Sequence, residues 1–299
     1  MVLSVHQLTK NFGRVRALQG ISFEVPKGAI FGVLGPNGSG KTTLLSIILD
    51  VLHADGGGYH WFGHPGSAEQ RKKIGSLLET PNFYHYLSGE KNLMVTQSIS
   101  GRGTLADINR VLGKVSLLER KNSRFSTYSL GMKQRLAIAA SLLGEPSVLV
   151  LDEPTNGLDP VGIAEIRELI LDLHRMGNTV IMASHLLDEV EKVCSHVVIL
   201  NKGLVVSAGT TAEVLSDDDL LEIGASDHDL LGNTLKEYSG IKILKPEGQY
   251  WHATFAKGMA NPSEINRHCQ SKGVIINHLI LKKKRLETRF FELTGNGNS

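Results

Sequence analysis

The first part of the chain alternates between short apolar segments and longer segments with helical spacing. Leu3–Leu8 and Ile21–Val25 have the residue types and lengths of strands, and Ala29–Leu34 is an uninterrupted apolar run. A glycine-rich turn follows that run, and Thr42–Leu52 then has the pattern of a helix. The pattern therefore predicts a strand, a loop and a helix in direct succession.

The middle of the chain is mostly helical and is followed by two more buried strands. The pattern predicts a helical insert over about residues 85–144, then strands at Val148–Leu151 and Thr179–Ala183. The segment between the two strands predicts an amphipathic helix, because its apolar residues recur at spacings of three and four. Those residues are Ile163, Ile166, Ile170 and Leu173. Strands that alternate with helices predict an α/β fold with a mainly parallel sheet.

A second, smaller domain is predicted after a hairpin-like segment at residues 196–207. The acidic stretch Ser216–Asp219 has the composition of a turn, so we place the domains at residues 1–215 and 216–299. The second domain has the pattern of a βαββαβ, ferredoxin-like α+β module that ends in a helix. Its basic run Lys282–Arg285 is interpreted as a solvated strand end rather than a nucleic-acid patch.

Composition narrows the function classes. The chain has 299 residues, and its 32 Lys and Arg against 30 Asp and Glu leave a formal charge of only +2, which argues against a dedicated nucleic-acid-binding protein. Its two cysteines, Cys194 and Cys269, form no Cys-x-x-Cys pair, as expected in a reducing cytoplasm. We predict neither a membrane-spanning segment nor a secretory signal.

The loop between the first apolar run and its helix matches the pattern G-x-x-x-x-G-K-[ST]. In this pattern the glycines let backbone N–H groups converge on phosphate oxygens, the lysine reaches the β- and γ-phosphates, and the last hydroxyl ligates Mg²⁺. The flanking strand and helix favour this interpretation over a simple glycine-rich turn. The predicted phosphate-binding residues are Gly35, Pro36, Asn37, Gly38, Ser39, Gly40, Lys41 and Thr42.

Two adjacent carboxylates at the end of the next buried strand supply the second half of this site. Asp152 and Glu153 follow Val148–Leu151, so the strand carries them to the C-terminal edge of the sheet. Asp152 is predicted to bind the Mg²⁺ shell and Glu153 to polarise water. The alternative is an acidic pair that merely begins a loop.

With these motifs in order, the first 210 or so residues resemble the ABC family of ATPases. Tyr128–Arg135 is similar to the family signature, although only Ser129 and Gly131 match its core; read alone, Ser129 is a helix cap. The resemblance implies a P-loop NTPase fold with a mixed-sheet core, an antiparallel β subdomain and a helical insert. It also implies that Phe12 stacks on adenine, that Thr43 lies at the nucleotide, and that His185 positions phosphate and water. The alternative for Phe12 is an ordinary buried aromatic residue, and the alternative for His185 is a structural histidine.

The resemblance also implies partners. Ser129 and Gly131 would complete the ATP site of a second copy, with Asp159 in the loop that couples the two sites, so we predict a homodimer that sandwiches two ATP. Glu79 stands where the family has a glutamine that touches Mg²⁺ and the membrane subunit, unless it merely begins a loop. The whole pattern resembles the ATPases of peptide-antibiotic resistance and ABC-2-type exporters.

We therefore predict an ATP-hydrolysing subunit that lies on the cytoplasmic face of the membrane. It would power export through separate membrane subunits and would not bind nucleic acid. The alternative is a soluble ABC ATPase that acts in assembly or on nucleic acid without transport. His60 and His64 are interpreted as residues of a surface strand rather than metal ligands.

Overall fold

The computed structural model of the chain describes residues 1–78, 82–215, 218–256, 258–282 and 290. The chain divides into two compact units, Met1–Thr211 and Ala212–Ser299. This division falls a few residues before the predicted domain boundary, inside the short helix Thr211–Leu215. An accessory role for the second unit stays a prediction.

The first unit contains ten strands and seven α-helices among its described residues, and an eighth α-helix begins at its last residue, Thr211. In chain order the strands are β1 (Leu3–Phe12), β2 (Val15–Val25), β3 (Ile30–Leu34), β4 (Gly56–Trp61), β5 (His64–Pro65), β6 (Ile74–Leu77), β7 (Val148–Asp152), β8 (Thr179–Ser184), β9 (His196–Asn201) and β10 (Leu204–Thr210). The helices are α1 (Lys41–Ile48), α2 (Ala68–Arg71), α3 (Gly89–Ser100), α4 (Leu105–Lys114), α5 (Leu130–Ser141), α6 (Pro160–Arg175), α7 (Leu187–Val193) and α8 (Thr211–Leu215).

Six of these strands form the central sheet, in the order β10-β9-β3-β8-β7-β6. Neighbours are parallel except for the antiparallel pair β9 and β10. Every residue of β3, β7 and β8 is buried, which explains their continuous apolar sequences. Because parallel strands end at the same edge of a sheet, the loops after β3, β7 and β8 meet there. The predicted α/β sheet is confirmed. The residues predicted to form the site lie in the loops at this edge.

A second, antiparallel sheet in the order β2-β1-β4-β5 forms the β subdomain. Its β1 and β2 are longer than the apolar segments that predicted them, because pairing continues to Phe12 opposite Val15. One side of this sheet shares a core with the central sheet and α1, and the Trp61 indole in that core donates to the Ile48 carbonyl at 2.7 Å. The antiparallel subdomain implied by the resemblance is confirmed.

The predicted helical insert consists of α3, α4 and α5 with two short 3-10 turns, Leu118–Arg120 and Phe125–Thr127. Its helices begin at polar caps. The Ser88 hydroxyl accepts from the Lys91 amide at 3.3 Å, and Thr104 forms a reciprocal capping box with Asp107. The predicted insert is confirmed.

The second unit has the βαββαβ order that its pattern predicts. Its elements are β11 (Asp218–Ala225), α9 (His228–Lys236), β12 (Ile241–Glu247), β13 (Tyr250–Ala256), α10 (Pro262–Ser271) and β14 (Ile276–Lys282). The sheet order is β12-β13-β11-β14 with all pairs antiparallel, which is the ferredoxin-like arrangement. A compact apolar cluster that includes Leu221, Leu235 and Phe255 forms its core.

The predicted acidic turn is wrong in its second half, because β11 already begins at Asp218. Asp219 lies opposite Phe255 in the ladder, and its carboxylate accepts from the Ala260 amide at 3.1 Å. Strand pairing and this hydrogen bond override the turn preference of the residue type. Residues 216 and 217 lie outside the described residues, as do most of the basic run and of the predicted final helix.

Within the described part of the chain, no helix is both long enough and apolar enough to cross a membrane.

Candidate functional site

The glycine-rich loop lies between β3 and α1, as its sequence predicts. Gly38 and Gly40 have positive φ angles of 79° and 106°, which side-chain-bearing residues rarely adopt. A Cβ atom at Gly40 would also lie 2.6 Å from the Ala17 carbonyl oxygen. Only glycine lets the loop turn into α1 so close to the β2 backbone. The first turn of α1 therefore begins with its N–H groups at the end of β3, the arrangement that binds phosphate.

Lys41 is the buried cation of this loop. Its Nζ donates to the Gly35 carbonyl at 2.8 Å and to the Pro36 carbonyl at 3.3 Å, and it lies 3.8 Å from Glu153 Oε1. Burial lowers the pKa of the ammonium, whereas Glu153 and Asp152 act in the opposite direction. A polyanion bound in the loop would favour the charged form of Lys41 further.

Thr42 and Asp152 meet at the edge of the central sheet. The Thr42 hydroxyl donates to Asp152 Oδ2 at 3.0 Å, although the two residues are far apart in sequence. Asp152 ends the fully buried strand β7 and is itself buried. A hydroxyl and a carboxylate are oxygen donors of the kind Mg²⁺ prefers, so this pair fits the ion that the resemblance implies.

Glu153 is held between a lysine and a histidine. Its backbone has a positive φ of 48°, an uncommon value for a residue with a side chain, and its amide donates to the Ala183 carbonyl at 3.0 Å. Its Oε2 lies 2.7 Å from His185 Nδ1, and its Oε1 faces Lys41. The loops after β7 and β8 thus bring together two residues that the sequence could only assign separately.

An open cavity of about 390 Å³ lies between the glycine-rich loop and Glu153, and Asp152 and His185 are not among its described lining residues. Phe12 is a lining residue and is half exposed, so it lies at the rim of the cavity. The lining consists of Phe12, Val15, Arg16, Ala17, Asn37, Gly38, Gly40, Lys41, Thr42, Thr43 and Glu153. Val15, Arg16 and Ala17 were missed by the sequence analysis. The sequence did contain a signal for these three residues, because a tight turn after Phe12 must bring the following residues back beside Phe12.

Ser129, Gly131 and Asp159 do not belong to the described lining of this cavity. Ser129 caps α5, accepting from the Met132 amide at 3.3 Å, and Asp159 caps α6, accepting from the Gly162 amide at 2.8 Å. Within the described chain the side chains of Ser129 and Asp159 therefore serve as helix caps.

Two further candidates from the sequence do not add to the site. Glu79 lies outside the described residues, so its role stays a prediction. His60 lies on β4 and His64 on β5, and no group of three or more potential metal ligands from His, Cys, Asp and Glu occurs among the residues that the structure describes. The two histidines thus lie on two paired strands rather than on the single strand that the sequence predicts.

Comparison with known proteins assigns the chain to a family. Residues 18–156 match the ABC transporter family. The bacitracin transport ATP-binding protein BcrA of Enterococcus faecalis is 34% identical over 302 residues, which cover 99% of this chain and 97% of the relative. The lantibiotic transport ATP-binding protein SrtF of Streptococcus pyogenes is 37% identical over 205 residues, or 69% of this chain and 89% of that protein.

A solved structure agrees with this assignment. The cbiO1 protein of Clostridium perfringens, part of the ABC transporter complex cbiONQ, matches with a TM-score of 0.65 and 30% identity over 71% of this chain and 90% of that one. The fold, the motif order and the relatives support the same assignment, and the relatives are transport proteins rather than the soluble alternative. The chain therefore belongs to the ABC transporter family, as an ATP-binding and ATP-hydrolysing subunit.

Proposed function

We propose that ATP is hydrolysed in the cavity between the glycine-rich loop and Glu153. The observation that carries this proposal is the position of Glu153, with one carboxylate oxygen at His185 and the other facing Lys41. A carboxylate in this place can accept a proton from a water molecule that attacks the terminal phosphate. The phosphates would lie on the loop amides and on Lys41 Nζ.

The two oxygens of Glu153 would have different tasks. In the tautomer that carries its proton on Nδ1, His185 donates to Oε2 and fixes the carboxylate plane. Oε1 then remains directed to the phosphate side and accepts the proton of the attacking water. His185 would therefore act chiefly by orienting Glu153, in addition to the contact with phosphate that the resemblance implies.

Thr42 and Asp152 are the residues that would hold Mg²⁺, because their oxygens already adjoin at 3.0 Å. The ion would neutralise charge on the β- and γ-phosphates. Phe12 at the rim would stack on the adenine base, and Thr43 would contact the phosphates from the first turn of α1. Each of these roles is tested by substitution of the single residue.

We infer further that two copies act together. Ser129, Gly131 and Asp159 are not among the described lining residues of their own chain's cavity, and the resemblance assigns them to the ATP site of a second copy. The helix amides after Ser129 would then face the partner's γ-phosphate. Light scattering should show an ATP-dependent dimer for the Glu153→Gln variant, and a monomer at every ATP concentration would contradict this arrangement.

We propose that the cargo is a peptide antibiotic and that the direction is export. The named functions of BcrA and SrtF support this choice, and the formal charge of +2 gives no support for a nucleic-acid partner. The chain would work on the cytoplasmic face, bound to separate membrane subunits that form the path. Glu79, at the position implied for the coupling glutamine, would meet Mg²⁺ or those subunits.

The test is resistance in a bacitracin-sensitive host that expresses this chain together with its membrane subunits. We expect the wild-type chain to raise the inhibitory concentration of bacitracin for this host, and we expect Glu153→Gln not to raise it. Glu79→Gln, which keeps the side-chain length but removes its charge, should lose little ATPase activity alone and more when coupled. Resistance that is unchanged by Glu153→Gln would overturn the transport proposal.

A further inference from the structure

The end of strand β1, just before Phe12, is held by a carboxylate from another loop. Asp55 precedes β4, and its Oδ1 accepts from Lys10 Nζ at 2.9 Å. Its Oδ2 accepts from the Asn11 backbone amide at 2.6 Å and from the Asn11 side chain at 3.1 Å. Both oxygens of this carboxylate are therefore committed to the two residues that precede Phe12.

The Lys10 ammonium in turn contacts the Phe12 ring. Its Nζ lies 5.6 Å from the ring centroid, within the range of a cation–π contact. The Lys10 side chain is only 16% exposed, whereas the Phe12 residue is 48% exposed at the rim of the nucleotide cavity. Lys10 thus supports the ring while much of the ring remains open for another flat group.

Strand β2 pairs with this segment as far as Phe12, but β4 does not reach it. The register between β1 and β2 shifts between Lys10 and Asn11, and β4 begins only at Gly56, opposite Thr9. The amide of Asn11 therefore extends beyond β4, and the Asp55 side chain accepts its hydrogen bond instead. The Asp55 carboxylate thus takes the place of a backbone acceptor from β4 at the end of β1, next to Phe12.

A glycine makes the approach of this loop possible. Gly57 has a φ of 73°, and a Cβ atom there would lie 2.1 Å from the Gln7 carbonyl oxygen. The Asp55 amide donates to the Thr9 carbonyl at 2.9 Å. The loop is thus fixed against β1 by its backbone, so the position of the Asp55 carboxylate is set before any ligand binds.

We infer that Asp55 is a positioning residue for the nucleotide base. It holds Lys10 and Asn11 so that the Phe12 ring faces the cavity, and this order favours stacking of a planar base. The inference rests on the proposed role of Phe12. It predicts that Asp55 contributes to recognition of the base and contributes nothing to recognition of the phosphates.

The experiment compares a ligand that has a base with one that lacks it. Calorimetry would measure the affinity of the full chain for ADP and for inorganic pyrophosphate. With these two ligands, ATP hydrolysis during the titration does not have to be controlled. Lys10→Met keeps the apolar stem of the lysine. We expect both Asp55→Ala and Lys10→Met to weaken ADP binding about 2- to 10-fold, the range of one aromatic contact. Pyrophosphate affinity and kcat at saturating ATP should not change.

Asp172→Ala is the matched control, because it removes an exposed carboxylate paired with Arg175 on α6, outside the described lining of the cavity. Circular dichroism melting would verify the fold, and Asp55→Asn replaces Asp55→Ala should the latter not fold. Phe12→Ala separates the two claims. If Phe12→Ala leaves the affinity for ADP unchanged, the proposed role of Phe12 fails. If Phe12→Ala weakens the binding of ADP but not of pyrophosphate, and neither the Asp55 nor the Lys10 variant weakens ADP binding, only this inference is overturned. Equal weakening of both ligands by the Asp55 variant also overturns it.

Discussion

Replacement of Lys41 by alanine should remove most of the affinity for nucleotide while leaving the fold in place. The Lys41 side chain is 7% exposed and directs its Nζ to the Gly35 and Pro36 carbonyls, with Glu153 Oε1 at 3.8 Å. Truncation therefore deletes the cation from a cavity that must accept a polyphosphate. Because Glu153 and Asp152 remain nearby, their negative charges would then face the phosphates without compensation.

The size of the effect follows from the kind of contact that is lost. A hydrogen bond to a charged group contributes about 1.5 to 3 kcal/mol. Since each 1.4 kcal/mol is a tenfold change in affinity, Kd for ATP should rise roughly 10- to 150-fold. Loss of the cation near two carboxylates places the expected value in the upper part of this range.

Titration with a fluorescent ATP analogue measures this change directly. Lys192→Ala is the control, because it removes an exposed lysine that pairs with Glu189 outside the described cavity lining. Burial lowers the pKa of Lys41, so wild-type affinity should fall as pH rises through that lowered pKa, and Lys41→Ala should lose this dependence. An unchanged Kd in Lys41→Ala would refute the assigned role.

Two further predictions concern the second unit. Lys282, His252 and His278 hold the pKa of the buried Glu222 at about 2, below its ordinary value of 4.5. Glu222→Gln should therefore lower the free energy of unfolding by about 1 to 3 kcal/mol at neutral pH, and this loss should shrink below about pH 4.5 as the unfolded carboxylate becomes protonated. Urea unfolding measures it, and a loss that does not depend on pH would contradict the ion-pair account. Truncation after Leu215 should leave ADP binding intact by calorimetry, because every described lining residue precedes it; an insoluble product would contradict the division.

Much of the central sheet could be predicted because three of its strands are buried on both faces. The short apolar runs of β3, β7 and β8 favour a central parallel sheet, and the glycine-rich motif between β3 and α1 marks the phosphate-binding loop. The paired ends of β1 and β2 could not be predicted, because few of their residues are buried and they depend on pairing with each other. The strand start at Asp218 was missed because it depends on pairing with β13.

The site was predictable as a set of residue types and not as a set of contacts. The order of motifs identified Lys41, Asp152 and Glu153, but the 2.7 Å contact of Glu153 with His185 depends on β7 and β8 lying side by side. Asp55 escaped prediction because an aspartate before three glycines has the composition of an ordinary turn. Its importance becomes visible only when β4 is placed against β1.

The central claim is that Glu153 accepts the proton of the attacking water in an otherwise complete nucleotide site. Glu153→Gln keeps the size of the side chain and removes its basicity, and Glu165→Gln is a control, since Glu165 pairs with Arg135 and is 48% exposed.

The deciding measurement is the ATP hydrolysis rate of Glu153→Gln together with its Kd for ATP. We predict a Kd close to that of the wild type and a rate lower by about 10²- to 10⁴-fold. Hydrolysis at a near-normal rate by a variant that binds ATP normally would contradict the claim.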